Sequence, residues 1–122
     1  MEAPKNNEID KKDRMTLLPM DLLRKYLIPA YEEGNKKYWE ESWRLGFKIS
    51  VLMDAALRHI EEFYWKGENM DPAASKHGVE KHHLAAAMFC MLSALNTLDV
   101  RPDLDDRIVN RDISSRPEPT PK

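Results

Sequence analysis

The chain has 122 residues, and its 19 Lys and Arg residues nearly balance 21 Asp and Glu residues, which gives a formal net charge of −2 at pH 7. This length predicts one domain, and the small net charge excludes a protein that attracts nucleic acid by bulk charge, so no DNA binding is expected. A single cysteine excludes an internal disulfide and favours a reducing, cytoplasmic compartment. No apolar run approaches the roughly 20 residues of a membrane helix, so no membrane is expected as a partner.

Both ends of the chain are predicted to lie outside the core. Residues 1–14 are mostly polar and show no hydrophobic period, which is typical of a mobile arm. Residues 100–122 carry several prolines among charges, and we interpret them as a Pro-rich, largely disordered tail. The remaining residues, 15–99, form the predicted helical domain. A core of this size is small for a monomer, so self-association is expected.

The first predicted helix runs from Met20 to about Gly34. Its apolar residues recur at helical spacing: Leu22, Leu23, Tyr26 and Leu27. Pro29 is expected to kink this helix or to split it into two short helices. Gly34 and Gly46 then bracket a connector with three aromatic side chains, which could lie across a pocket.

The second predicted helix begins with Ser50 as its N-cap and runs to about Lys66, with Gly67 as its stop. One side of this helix is apolar and carries Leu52, Ala56, Ile60 and Phe63. The opposite stripe carries Asp54, Arg58, Glu61 and Trp65. His59 falls at the border between the two stripes, where packing can hold the ring within reach of a ligand.

The last predicted helix, from about Val79 to Leu98, is apolar nearly all round and belongs at the centre of a bundle or in a subunit interface. One stripe combines a histidine with small side chains, namely His83, Ala87, Cys90, Ala94 and Thr97. Strand-like alternation is missing from the sequence. An all-α bundle of about four helices is therefore the predicted fold class.

The stretch from Asp54 to Asp71 combines acids, an arginine and a histidine with an apolar face. Such a mixture suits a site for a divalent metal and phosphate. The simpler interpretation is a set of solvated surface charges, in which Asp54 pairs with Arg58 at i, i+4. Four histidines also raise the hypothesis of zinc, but neither Cys-x-x-Cys nor H-E-x-x-H spacing is present.

A series of short motifs resembles a known family. In chain order these are Leu18-Pro19, Gly34-x-Lys36-Lys37-Tyr38, Trp43-Arg44-x-Gly46, Ala55-Ala56-Leu57-Arg58-His59, Gly67-Glu68-x-x-Asp71 and His83-Leu84-Ala85. Their order and spacing resemble the phage-type family of dATP/dGTP diphosphohydrolase N-terminal domains, within the MazG-like all-α nucleotide pyrophosphohydrolases. The resemblance covers residues 17–98.

The resemblance implies hydrolysis of the purine deoxynucleoside triphosphates dATP and dGTP to monophosphate and pyrophosphate, assisted by Mg²⁺ or Mn²⁺. It also implies assembly into dimers or tetramers, and a host cytoplasm if the protein is phage-encoded. The metal signature of the wider group is Glu-x-x-Glu followed by Glu-x-x-Asp. Only Glu68-x-x-Asp71 matches its second half, and no matching first half lies at the right distance upstream.

On this hypothesis, the predicted metal ligands are Asp54, Glu62, Glu68 and Asp71. The predicted catalytic residues are Arg58, His59 and Glu62. The predicted substrate-binding residues are Lys37, Tyr38, Trp43, Arg58 and His83. Arginine and lysine would neutralise phosphate charge, the histidines would position phosphate or the leaving group, and an aromatic ring would stack on the base.

Two alternatives stay open. The missing Glu-x-x-Glu half supports a non-catalytic helical module that binds nucleotide or a partner protein. A zinc-bound structural domain is the third reading of the sequence.

Overall fold

The computed structural model describes residues 12–112 and residue 114, and within them the chain forms four helices and no strand. Helix α1 spans residues 20–37 in three consecutive parts, Met20–Leu22, Leu23–Leu27 and Ile28–Lys37. The other helices are α2 (Ile49–Tyr64), α3 (Pro72–Ser75) and α4 (His83–Val100). Short 3₁₀ turns occupy Met15–Leu17, Ser42–Leu45, Pro102–Leu104 and Ile108–Asn110. The predicted all-α fold is confirmed, while most of the predicted N-terminal arm (residues 1–11) lies outside the described residues.

Helix α1 is not split at Pro29. The five residues Leu23–Leu27 are π-helical, and the amide of Ile28 donates to the carbonyl of Leu23. Because proline has no amide hydrogen to continue the α-helical ladder, the wider π turn just before it absorbs the irregularity. The helix then continues past Gly34 to Lys37, further than predicted. A Cβ atom added at Gly34 would lie 3.5 Å from the ring of Phe89, at ordinary van der Waals distance.

The core lies mainly between α2 and α4. One cluster joins Ala56 to Ala87 and Cys90, and a second joins Ile49 and Leu52 to Ala94. All of these side chains are buried. The predicted small-residue stripe of α4 is therefore the face that packs against α2, since alanine-sized side chains let the two helices approach closely.

The opposite flank of α4 is exposed and apolar. Its side chains are Leu84, Met88, Met91, Leu95 and Leu98. By length and a mean hydropathy of 1.3, α4 would suffice to cross a membrane, which the sequence analysis did not foresee. Because 44% of the helix is buried within the protein, its apolar character fits a core helix with one uncovered side.

The N-terminus of α2 is capped by a residue that is far away in the sequence. The helix begins at Ile49, so Ser50 is not its N-cap as predicted. Instead, the amide of Ser50 donates to Asp106 Oδ1 at 2.8 Å, and the hydroxyl of Ser50 donates to Oδ2 of the same carboxylate. A carboxylate at a helix N-terminus accepts hydrogen bonds from otherwise unpaired amides, and its negative charge interacts favourably with the positive end of the helix dipole. Part of the segment with tail-like composition therefore packs against α2.

The connector before α2 lies against α4. The hydroxyl of Thr97 accepts from the amide of Phe47 at 3.2 Å, and the side chain of Asn96 donates to the carbonyls of Trp43 and Arg44. Gly46 ends the connector with a φ of 92°, a conformation that favours glycine. These contacts fix the connector on the helix.

Candidate functional site

The turn after α2 positions the first carboxylate of the site. Helix α2 ends at Tyr64, and Gly67 takes a φ of 69°. The amide of Glu68 then donates back to the carbonyl of Glu62 at 2.9 Å. This bond spans seven residues, one more than the usual six-to-one bond of a helix that ends at a left-handed glycine. The predicted stop at Gly67 is confirmed, and it turns Glu68 back over the end of α2.

A short backbone pairing brings the next carboxylate beside α4. The amide of Asp71 donates to the carbonyl of Lys81, and the amide of His83 donates to the carbonyl of Asn69, each at 2.8 Å. These bonds hold the residues before His83 extended, so α4 begins at His83 and not near Val79 as predicted. The side chain of Asp71 caps α3 by accepting from the amide of Ala73 at 3.0 Å.

Two histidines and a glutamate form a hydrogen-bonded chain across these elements. His59 Nδ1 on α2 lies 2.8 Å from His83 Nδ1 on α4, and His83 Nε2 lies 2.7 Å from Glu68 Oε1. An ionised carboxylate only accepts hydrogen bonds, so His83 Nε2 carries the proton that it donates to Glu68. His83 is only 3% exposed, which holds its ring in this orientation.

The environment of His59 disfavours its charged form. Burial lowers the pKa of His59 below its ordinary value, and the nearby Lys81 ammonium lowers it further, although Asp71 opposes these effects. Because the ordinary pKa of histidine is already about 6.5, the imidazole of His59 is mostly neutral at pH 7. A neutral imidazole has one nitrogen lone pair free for a proton or a metal ion.

Three of these residues could hold a metal ion. One ligand atom from each of His59, Asp71 and His83 lies within 4.8 Å of the other two. Two imidazoles and a carboxylate suit zinc, iron or nickel better than Mg²⁺, which prefers oxygen ligands. The residues present therefore fit a divalent metal. Their positions on α2, the loop and α4 explain why no metal motif appears in the linear sequence.

The site opens into a groove of about 380 Å³. Its lining residues are Arg58, His59, Glu62, Glu68, Asp71, Pro72 and His83. Arg58 is exposed, and its guanidinium makes no ion pair or hydrogen bond with any described residue, so it is available to a ligand. Glu62 is paired with Lys66, one helical turn later, at 2.8 Å.

A buried lysine beneath the site was missed by the sequence analysis. Lys81 Nζ lies 3.4 Å from Glu33 Oε2 on α1 and 3.5 Å from Asp71 Oδ2. Lys81 is 8% exposed and Glu33 is 7% exposed. Extending the apolar spacing of α1 would have placed Glu33 one turn after Ala30 on the buried face. Nothing in the sequence around Lys81 shows that its side chain is buried.

The structure places the other predicted site residues outside the groove lining. Asp54 is exposed on α2. Trp43 packs edge-on against Tyr31 at 5.4 Å and lies under the guanidinium of Arg44. Tyr38 is 55% exposed, with the ammonium of Lys37 5.4 Å from its ring centre. The structure thus brings together the predicted residues of the loop, of α4 and of the second half of α2, and it keeps Asp54 and the residues of the connector apart.

Comparison with known proteins gives one family match. The family described as "dATP/dGTP diphosphohydrolase, N-terminal" matches residues 2–107. Searches of curated proteins and of solved structures give no match. The matched region includes α1 to α4, the groove and Asp106. The chain therefore belongs to the family of dATP/dGTP diphosphohydrolase N-terminal domains.

Proposed function

We propose that this chain hydrolyses dATP and dGTP to the monophosphates and pyrophosphate with the help of a divalent metal, Mg²⁺ or Mn²⁺. The observation that carries the proposal is the groove itself. It combines an unpaired arginine, two histidines and three carboxylates within one concave surface. The family match names the same substrates.

The charges of the groove suit a triphosphate. The guanidinium of Arg58 can make two parallel hydrogen bonds to phosphate oxygens, and no described carboxylate competes for it. Of the predicted metal ligands, Glu62 and Asp71 would supply oxygen atoms to Mg²⁺ or Mn²⁺, whereas Glu68 is hydrogen-bonded to His83 and Asp54 lies outside the groove lining. A bound divalent ion would offset phosphate charge and lower the pKa of a coordinated water.

In this proposal the two histidines of the groove handle the proton and position the phosphate. If His59 Nδ1 donates to His83 Nδ1, the Nε2 atom of His59 has a free lone pair. Because its pKa is lowered by burial and by Lys81, His59 can accept a proton from an attacking water at neutral pH. His83 is held by Glu68 at 2.7 Å and positions the phosphate or the leaving group.

Base binding belongs to the connector in this proposal. Of the two predicted stacking residues, Tyr38 has the freer ring, because Trp43 is already packed between Tyr31 and Arg44. Lys37 lies beside Tyr38 and could contact the triphosphate.

The test is the release of pyrophosphate from dATP or dGTP by purified protein with Mg²⁺ or Mn²⁺. Arg58→Ala should lower kcat by about 10²–10³, the typical effect of removing one electrostatic contact to the transition state. Glu68→Ala and Asp71→Ala should also reduce the rate strongly. Glu61→Ala, an exposed neighbour of Glu62 outside the groove lining, is the matched control. Release by wild-type protein that does not exceed release by Glu68→Ala would refute the proposal.

The second candidate is a non-catalytic nucleotide- or protein-binding module. It is favoured by the buried lysine, because Lys81 already compensates Asp71 and Glu33 and leaves fewer free carboxylates for metal. A ligand that binds the folded state raises Tm. A rise in Tm with dATP that persists in EDTA, without pyrophosphate release, would favour this module over the enzyme.

Self-association is part of the same proposal. The uncovered flank of α4 presents Leu95, which is 60% exposed, beside Met91 and Leu98. A second copy that covers this flank would add to the small core and complete a dimer or tetramer in the cytoplasm. Light scattering should give a mass above that of the 14.2 kDa monomer, and Leu95→Glu should reduce it. A monomeric wild-type protein would exclude this assembly.

A further inference from the structure

We infer that His59, His83 and Asp71 are direct ligands of a transition-metal ion, which the site binds in preference to Mg²⁺, and that Glu68 is a positioning residue for His83. The inference deepens the proposed function, on which it rests, because it concerns the same groove, and it gives His59 the role of a metal ligand in place of the proton-accepting role. Metal binding is measured without nucleotide, so the inference and the proposed hydrolysis can fail separately.

The spacing of the two imidazoles suits a shared ion. Two nitrogen ligands that lie about 2.1 Å from one tetrahedral ion are about 3.4 Å apart, so a small separation of the two rings would let them share an ion. The Nδ1 atoms of His59 and His83 are 2.8 Å apart. A carboxylate oxygen of Asp71 lies within 4.8 Å of one ring nitrogen of each histidine. Since a hydrogen bond between two neutral rings has the same spacing, metal titration has to separate the two arrangements.

The hydrogen bond from His83 to Glu68 explains why Nδ1 of His83, and not Nε2, faces the proposed metal site. Glu68 accepts the proton on His83 Nε2 at 2.7 Å, and a neutral imidazole then has its lone pair on Nδ1. That lone pair points toward His59. Metal-bound histidines commonly donate their other ring N–H to a carboxylate, which fixes the tautomer. In this arrangement Glu68 acts through His83 and does not touch the ion.

The charges around the three ligands suit a divalent ion. Lys81 lies 3.5 Å from Asp71 and alone would oppose a cation, but Glu33 lies 3.4 Å from the same ammonium. The buried Glu33–Lys81 pair is therefore close to neutral. Asp71 and Glu68 then supply two negative charges to balance an ion of charge +2, and both histidines bind it as neutral ligands.

The donor atoms decide which metal is preferred. Mg²⁺ takes oxygen ligands and keeps several waters, whereas imidazole suits zinc, iron, nickel and copper. Nitrogen supplies two of the three ligand atoms in this cluster. Zn²⁺ should therefore bind more tightly than Mg²⁺, and Mn²⁺ should lie between them.

The experiment is calorimetric titration of metal-stripped protein with Zn²⁺ and with Mg²⁺ in the absence of nucleotide. We expect one Zn²⁺ per chain and weaker binding of Mg²⁺. His59→Gln and His83→Gln should abolish the Zn²⁺ site, and Glu68→Gln should weaken it by about 10- to 100-fold. His77→Gln, a half-buried histidine outside the groove lining, should bind Zn²⁺ like the wild-type protein.

Several results would overturn the inference. These are Mg²⁺ binding as tight as Zn²⁺, Zn²⁺ binding unchanged by both histidine substitutions, or a Glu68→Gln loss as complete as that of His83→Gln. If a histidine variant fails to fold, ¹H–¹⁵N spectra of the wild-type histidines decide. Zn²⁺ should change the Nδ1 signals of two rings, and no change in either would refute the site. Zn²⁺ binding without pyrophosphate release would refute only the proposed hydrolysis.

Discussion

Replacing Lys81 with methionine should strongly destabilise the fold. The substitution keeps the length of the side chain but leaves the carboxylates of Glu33 and Asp71 without their shared cation. The side chains of all three residues are no more than about a tenth exposed, so water compensates little of the lost charge. Removing one partner of a buried ion pair costs about 3–5 kcal/mol. For a domain of this size, that corresponds to a fall in Tm of roughly 12–40 °C.

Thermal unfolding followed by circular dichroism in EDTA measures this loss without any contribution from metal. Lys76→Met, at an exposed lysine after α3, is the matched control and should leave Tm nearly unchanged. In the double variant Glu33→Gln/Lys81→Met one uncompensated carboxylate is gone, so part of the loss should be recovered, with a coupling energy of about 0.5–3 kcal/mol. A Lys81→Met protein as stable as Lys76→Met would refute the buried network.

Three further predictions concern the backbone and the core. Gly67→Ala should destabilise the fold by about 1–2 kcal/mol, because Gly67 has a φ of 69° although its surroundings are open. Gly34→Ala should instead stabilise α1 by about 0.5–1 kcal/mol. The denaturant midpoint should therefore fall for Gly67→Ala and rise for Gly34→Ala, and changes of the reverse sign would contradict this strain argument. Asp106→Asn should lower Tm at pH 7, because the hydrogen bonds from Ser50 hold the pKa of Asp106 below its ordinary value of 3.8. The carboxylate therefore contributes stability above that value and loses it as pH falls, so wild-type and variant Tm should converge in acid; a constant difference down to pH 2 would contradict the cap. Burial raises the pKa of the Cys90 thiol above 9.0, so native protein should resist alkylation by iodoacetamide, and its stability should fall above pH 9 more than that of Cys90→Ala; fast alkylation of folded protein would show that the thiol is accessible.

The helices were largely predictable because their apolar spacing is strong. The stripe of α4 from Ala87 to Thr97 is buried as expected, and Gly67 ends α2 through a left-handed turn. The errors arose where a distant residue changes a local preference. Ser50 has the chemistry of an N-cap, but Asp106 binds its amide and the helix begins earlier. Residues before His83 have helical propensity, but pairing with the loop holds them extended.

The residue types of the candidate site were predictable, but the contacts between its side chains were less so. Arg58, His59, Glu62 and Glu68 were expected in one site and do line one groove. The direct contact of His59 with His83 joins positions far apart in sequence, and no spacing rule indicates it. The buried position of Lys81 likewise depends on how α1 packs beside the loop. Composition could not show that a lysine, usually a surface residue, is enclosed by two acids.

The two hydrogen bonds between the loop and the start of α4 have a consequence for dynamics. The amide of Asp71 donates to the carbonyl of Lys81, and the amide of His83 donates to the carbonyl of Asn69, so these two bonds hold the loop against the start of α4. A brief opening of this segment would separate Asp71 from the two histidines while the α2–α4 core stayed folded. Hydrogen exchange at these two amides therefore reports how often the site comes apart, and any ligand that bridges α2, the loop and α4 should slow it.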